Sequence, residues 1–218
     1  GNFTVNRYSK LQVGAQRLQI LYVLDMAEIP AHAERAQIDV DGDGSLSTAE
    51  LDRYRTAAAA ALLQGVTLTV DGTRTPLELQ TARLSFPSGQ AGLPTLRLEL
   101  TAHTAELSGS EHDVRYVDRN YADRLGWQEI IASARSGGTL ARTSVPAEDR
   151  SQELTKYPQD LLNDPPRVSE AAFAWQAGTG SEVAERGTAV QAAAATSGPL
   201  AADATPAASG RPTDPFAD

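Results

Sequence analysis

RLQILYVLDM, residues 17–26, is the stretch that decides the fold. Leu18, Ile20, Tyr22, Leu24 and Met26 fall on one face of an extended strand, and Leu21 and Val23 make the other face apolar too. A strand that is apolar on both faces belongs near the centre of a fold, with cover on each side. On its amino-terminal side, FTVNRY (residues 3–8) sets Phe3, Val5 and, less regularly, Arg7 against Thr4, Asn6 and Tyr8, which is a second strand pattern. Residues 13–16, VGAQ, supply the turn between the two.

Beyond Met26 the period changes. Pro30 can open a short helix that runs to about Ile38. Residues 48–64 read as a longer helix, with Ser47 or Thr48 as cap and Leu51, Tyr54, Ala58 and Leu62 along one stripe. Gly65 ends it. Strand patterns then resume in VTLTV (66–70), LELQTARLSF (77–86), LPTLRLELTAH (93–103), DVRYVDRN (113–120) and WQEIIASA (127–134). Asp71-Gly72 is a turn signal, although residues 73–76 suggest a connection longer than a tight hairpin. Six to eight strands with one helical insertion predict a mainly β chain. The expected fold is an immunoglobulin-like antiparallel β-sandwich with an inserted helix-loop-helix, EF-hand-like unit at residues 29–64. The Cys-based spacing of antibody domains is absent, which leaves the topology open.

Between the two helices lies DVDGDGSLSTAE, residues 39–50, which has the spacing of a calcium loop. Asp39, Asp41 and Asp43 stand at loop positions one, three and five, Ser45 at seven, Ser47 at nine and Glu50 at twelve, with Gly44 at the sharp turn. Such crowded carboxylates repel one another until a hard cation with oxygen ligands relieves them. The three aspartates are expected to give one oxygen each, Ser45 its main-chain carbonyl, Ser47 a bridging water, and Glu50 both carboxylate oxygens. Calcium is the expected ion, because magnesium demands a tight octahedron and sheds water reluctantly. No second loop accompanies this one, and Met26 is the sole methionine, so a groove-opening sensor is not expected. The ion is expected to act as a structural staple for the insertion.

The chain has 218 residues, 41% of them hydrophobic, which is enough for a core. A net charge of −9 argues against nucleic acid as a partner, which needs a basic surface. No cysteine is present, which excludes thiol chemistry, and no apolar run is long enough for direct membrane insertion. His32, His103 and His112 form no close chelating spacing, although His103 and His112, with Glu106 and Glu111, are placed to meet across a hairpin. Asp25 and Glu28, at the end of a strand, form either a catalytic carboxylate pair or groups that cap a helix start or accept backbone hydrogen bonds, and the second reading is preferred. Tyr116, Tyr121 and Trp127 with Arg115, Arg119 and Arg124 form either a sugar- or peptide-binding platform or core and strand-edge salt bridges. No nucleophile elbow or phosphate-binding glycine loop occurs, and no catalytic residue is assigned. The β domain is expected to span residues 1–165. Residues 166–218 read as an Ala/Pro/Gly-rich linker, with a short helix at 170–176.

GNFTVNRYSKLQVG (1–14), LYVLDMAEIP (21–30) and, less specifically, RYVDRNYADRLGWQEI (115–130) resemble the extracytoplasmic N-terminal region of bacterial nickel/cobalt transporter-like membrane proteins. The resemblance covers roughly residues 1–165. It implies export and tethering to a membrane-embedded portion of the same polypeptide, with a non-enzymatic role near divalent-metal transport. It hands over no transport residue, because those lie in membrane helices. The histidine that family members carry just ahead of the glycine is not among these residues either. The alternatives are a secreted carbohydrate- or peptide-binding module with structural calcium, and a calcium-dependent hydrolase.

Overall fold

A computed structural model describes residues 2–135 and 137–178. In chain order these form β1 (Val5–Val13), β2 (Leu18–Met26), α1 (Glu28–Ile38), α2 (Thr48–Gln64), β3 (Val66–Val70), β4 (Thr73–Arg74), β5 (Glu78–Ser85), β6 (Leu96–His103), β7 (Glu111–Asp118), β8 (Gln128–Ala134), β9 (Gly138–Ala141) and β10 (Glu170–Ala177). The strands make two five-stranded sheets, ordered β5-β6-β2-β1-β8 and β4-β3-β7-β10-β9. The protein is mainly β, and its two antiparallel-rich sheets are consistent with a β-sandwich.

β2 is the middle strand of the first sheet, as its two apolar faces predict. Leu18, Ile20, Tyr22, Leu24 and Met26 join one core, together with Val5 and Leu11 of β1, Leu98 of β6, and Leu68, Tyr116, Phe173 and Trp175 of the second sheet. On the opposite face Val23 joins Tyr8, Trp127, Ile131 and Leu154 in a smaller cluster, beneath the segment that carries Tyr157 and Leu161. Strand alternation separates the two clusters, since neighbouring residues point to opposite faces. Two polar links run between the sheets inside the main core. The Tyr22 hydroxyl donates to Asp118 Oδ2 at 2.9 Å, and Ser9 Oγ lies 2.8 Å from the Tyr116 hydroxyl.

Both helices enter between β2 and β3 in sequence, and Ile38, Ala59 and Leu62 bury into the main core. α2 ends where predicted. Gly65 lies so close to the Asn120 amide that a side chain there would overlap it, while Asn120 Nδ2 donates to the Leu62 carbonyl at 2.9 Å.

The structure departs from the expectations at five points. Residues 170–176 are not a short helix but most of β10, which lies between β7 and β9. Ala171, Phe173 and Trp175 alternate into the core, and a strand lets all three reach it. The folded region therefore passes the expected boundary at Pro165. The remainder of the expected linker, from residue 179 onward, lies outside the described residues. β9 was not anticipated, because four residues carry too little pattern. Asp71 and Gly72 do make a tight hairpin, pairing Val70 with Thr73, and both adopt positive φ (52° and 78°) as a two-residue primed turn requires. The first sheet is not wholly antiparallel, because β1 and β8 run parallel. No hairpin joins these two strands, so no short turn dictates their relative direction.

Candidate metal centre

The loop is anchored at both ends. Ile38, the last residue of α1, is fully buried, and the Asp39 amide closes the helix on the Arg35 carbonyl at 3.0 Å. Leu46 and Leu51 pack against the core from the far side. Gly42 and Gly44 have φ of 71° and 83°, a left-handed conformation that glycine adopts without strain, and the chain reverses there.

The reversal folds the amides of the loop inward onto its own carboxylates. Asp39 Oδ1 accepts from the Gly42 amide at 2.9 Å and the Asp43 amide at 3.1 Å, and Asp39 Oδ2 accepts from Gly44 at 2.9 Å. Asp41 Oδ1 accepts from Asp43 at 3.2 Å, and Asp43 Oδ1 accepts from Ser45 at 2.7 Å. Each aspartate retains lone pairs beyond these bonds. Asp39, Asp41 and Asp43 bring one carboxylate oxygen each to within 4.8 Å of one another, and among the described residues this is the convergent group of metal-ligating side chains. Asp41 and Asp43 are exposed and Asp39 is half-buried, so water and ions reach the group.

Glu50 is close by but lies outside that trio. Its Oε1 accepts from the Val40 amide at 2.7 Å and its Oε2 from the Ser47 amide at 2.9 Å and the Ser47 hydroxyl at 2.8 Å. The Ser47 hydroxyl in turn accepts from the Glu50 amide at 3.3 Å, which completes a capping box at the start of α2. The Ser47 bonds, followed by the Val40 amide, pull the Glu50 carboxyl down to about 2. Asp41 shows the opposing influence. Its largest single influence, the Asp43 amide, favours the charged form, but desolvation and the neighbouring Asp43, Glu50 and Asp39 together raise its pKa. The loop thus gathers like charge at the trio. Of the six predicted ligands, three aspartates converge, Ser45 and Ser47 lie in the loop and its cap, and Glu50 is held on backbone amides.

The other sequence candidates have separate structural roles. His103 Nδ1 lies 2.8 Å from the Thr104 carbonyl, whereas His112 Nδ1 pairs with Asp71 Oδ2 at 2.7 Å, so the two histidines have different partners rather than a shared one. His32 is exposed on α1. Glu28 accepts from the Gln90 amide at 2.7 Å, the backbone bond expected for it, whereas the Asp25 carboxylate accepts from side chains instead, Asn6 Nδ2 and the Tyr157 hydroxyl. The aromatic-basic patch does not form a surface platform. Tyr116 and Trp127 are buried, Arg115 pairs with Glu170 at 3.1 Å, and Arg119 donates to Thr67 Oγ1 at 3.2 Å. Sequence reading missed Arg7 as a buried organiser. Its guanidinium donates to the carbonyls of Asn120 and Tyr121, and burial lowers its pKa. Its place in an alternating strand next to Val5 was the available signal.

No helix among the described residues is long and apolar enough to cross a membrane. Compared with protein-family models and with curated proteins, the chain matches none.

Proposed function

We propose that this chain is a non-enzymatic, calcium-stabilised extracytoplasmic domain of a membrane protein linked to divalent-metal (nickel or cobalt) transport. In this reading it is an immunoglobulin-like β-sandwich carrying an EF-hand-type unit. The observation that carries the calcium reading is the convergence of Asp39, Asp41 and Asp43 around glycines at the fourth and sixth loop positions, with Glu50 on the first turn of the exiting helix. The trio supplies three hard oxygen ligands. Ser45 adds its main-chain carbonyl, Ser47 a water, and Glu50 reaches the ion by giving up its bonds to the Val40 and Asp41 amides. An ion held there ties the end of α1 to the start of α2, and so fixes the insertion. Export and a transport context rest on the resemblance of residues 1–14, 21–30 and 115–130 to nickel/cobalt transporter-like proteins. Burial of Trp127 and Tyr116 weighs against the sugar-binding alternative.

Calorimetric titration of metal-stripped protein with calcium chloride tests the site. The expected result is one ion per chain at a Kd of ~10⁻⁴ to 10⁻³ M, and the absence of saturable heat would sink the calcium reading. Nickel chloride added to calcium-loaded protein tests metal handling by this domain directly. Reading the gene downstream of Asp218 tests the transport context: membrane helices encoded there would support it, and a stop codon would weaken it badly.

A further inference from the structure

We infer that a second, metal-independent site binds a small carboxylic acid with an apolar body. A cavity of about 340 Å³ opens where β1 and β8 begin. Its walls come from three separate stretches: the start of β1, the Leu125–Trp127 approach to β8, and the segment from Tyr157 to Arg167. The volume lies within the range of small-molecule sites, which are mostly apolar with a few fixed polar groups.

On one side of the cavity the polar groups are hydrogen-bonded to one another. Asn6 Nδ2 donates to Asp25 Oδ2 and to the Tyr157 hydroxyl, both at 3.1 Å, while Asn6 Oδ1 accepts from the Trp127 amide at 2.9 Å. The Tyr157 hydroxyl donates to Asp25 Oδ2 at 2.9 Å, and the Trp127 and Tyr157 rings meet edge to face with centroids 5.5 Å apart. These groups are committed to one another, which leaves the apolar walls at Leu125, Trp127 and Leu162 to meet the body of a ligand. The lips agree, since Leu125 is 68% and Leu162 50% exposed, which is a large apolar surface to leave in water.

The charge at the mouth is Arg167. Among the described residues its guanidinium makes no hydrogen bond or ion pair, whereas Arg97, Arg115 and Arg142 are all paired with carboxylates. An unpaired guanidinium beside an apolar cavity complements an anion locally, and its fork matches a carboxylate with two parallel bonds. The ligand is therefore an acid whose chain or ring sits against Trp127, Leu125 and Leu162 while its carboxylate meets Arg167.

Hexanoate and its uncharged amide, hexanamide, are the probes, titrated into the full chain and followed by two-dimensional NMR with calcium and with chelator. Saturable millimolar shifts at the Trp127 indole and the Asn6 side-chain amide are expected for hexanoate in both conditions, with hexanamide about tenfold weaker. Arg167→Gln, at an exposed position, is expected to bring hexanoate down to the level of the amide without changing the melting temperature. No localised shift, equal binding of acid and amide, or wild-type affinity in the variant would each overturn the proposal. Because the readout is followed without calcium too, its failure is distinguishable from failure of the metal reading.

Discussion

Asp43→Asn should abolish the calcium response while leaving the empty loop almost intact. Asp43 uses one oxygen, Oδ1, to accept from the Ser45 amide at 2.7 Å, and an asparagine oxygen can take that bond. The substitution therefore removes a charge from the trio and keeps the turn. For the wild type, 10 mM calcium against a Kd of ~10⁻³ to 10⁻⁴ M stabilises the folded state by about 1.4 to 2.7 kcal/mol, from RT ln(1 + [L]/Kd). In a domain of this size each kcal/mol moves Tm by about 2–4 °C, so the expected rise over chelator-treated protein is about 3–11 °C. The variant should match wild type in chelator within about 0.5 kcal/mol and gain nothing from calcium. Asp39→Ala provides the contrast. It leaves the Gly42 and Gly44 amides without their acceptor and the Asp43 amide with Asp41 Oδ1 alone, so it should lose about 1–2 kcal/mol even in chelator, the amides partly recovering water. Differential scanning fluorimetry in calcium, magnesium and chelator reads all three proteins. A wild-type Tm that does not move with calcium, or a rise that persists in Asp43→Asn, would refute the reasoning.

Three further outcomes follow from the geometry. Ser47→Ala, measured in chelator, should cost about 1 kcal/mol in urea unfolding, because the capping box at α2 is lost with no ion involved. Leu24→Ala should cost about 2–5 kcal/mol, since Leu24 is 1% exposed on the central strand, while Leu79→Ala on edge strand β5 should stay within about 0.5 kcal/mol. Burial, the largest influence, raises the pKa of Asp118 in the folded protein. The folded state therefore holds this proton more tightly than the unfolded chain, and the stabilisation it gives at low pH is lost as pH rises through the raised value. Asp118→Asn should remove that decline, so the stability of the variant relative to wild type should climb between acid and neutral pH in paired denaturation curves. A difference that stays flat with pH would show that Asp118 is not the titrating group.

The helical insertion was legible because its signals are local. A capping serine, a stripe at helical spacing and a terminal glycine each act within a few residues, and α2 spans the predicted residues. β2 was legible because its alternation leaves an apolar residue on each face at nearly every step. β10 was misread for a physical reason. EAAFAWQA is rich in alanine, which favours helix in isolation, and only hydrogen bonding to β7 and β9 makes it a strand. The partial mismatch at the candidate site has a similar origin. Spacing placed Glu50 among the ligands, but spacing does not say whether its carboxylate points to an ion or to the Val40 and Ser47 amides.

By itself the sequence determined the things set by neighbours along the chain: the alternation of β2, the limits of α2, and the order of oxygen-bearing residues in residues 39–50. Tertiary structure alone decided which strands lie side by side, that β1 and β8 run parallel, and that Asn6, Trp127, Tyr157 and Arg167 line one cavity. Local steric and hydrogen-bonding preferences are written into a few consecutive residues. Contacts between residues more than a hundred positions apart form only when burying two sheets against each other offsets the entropy of bringing them together.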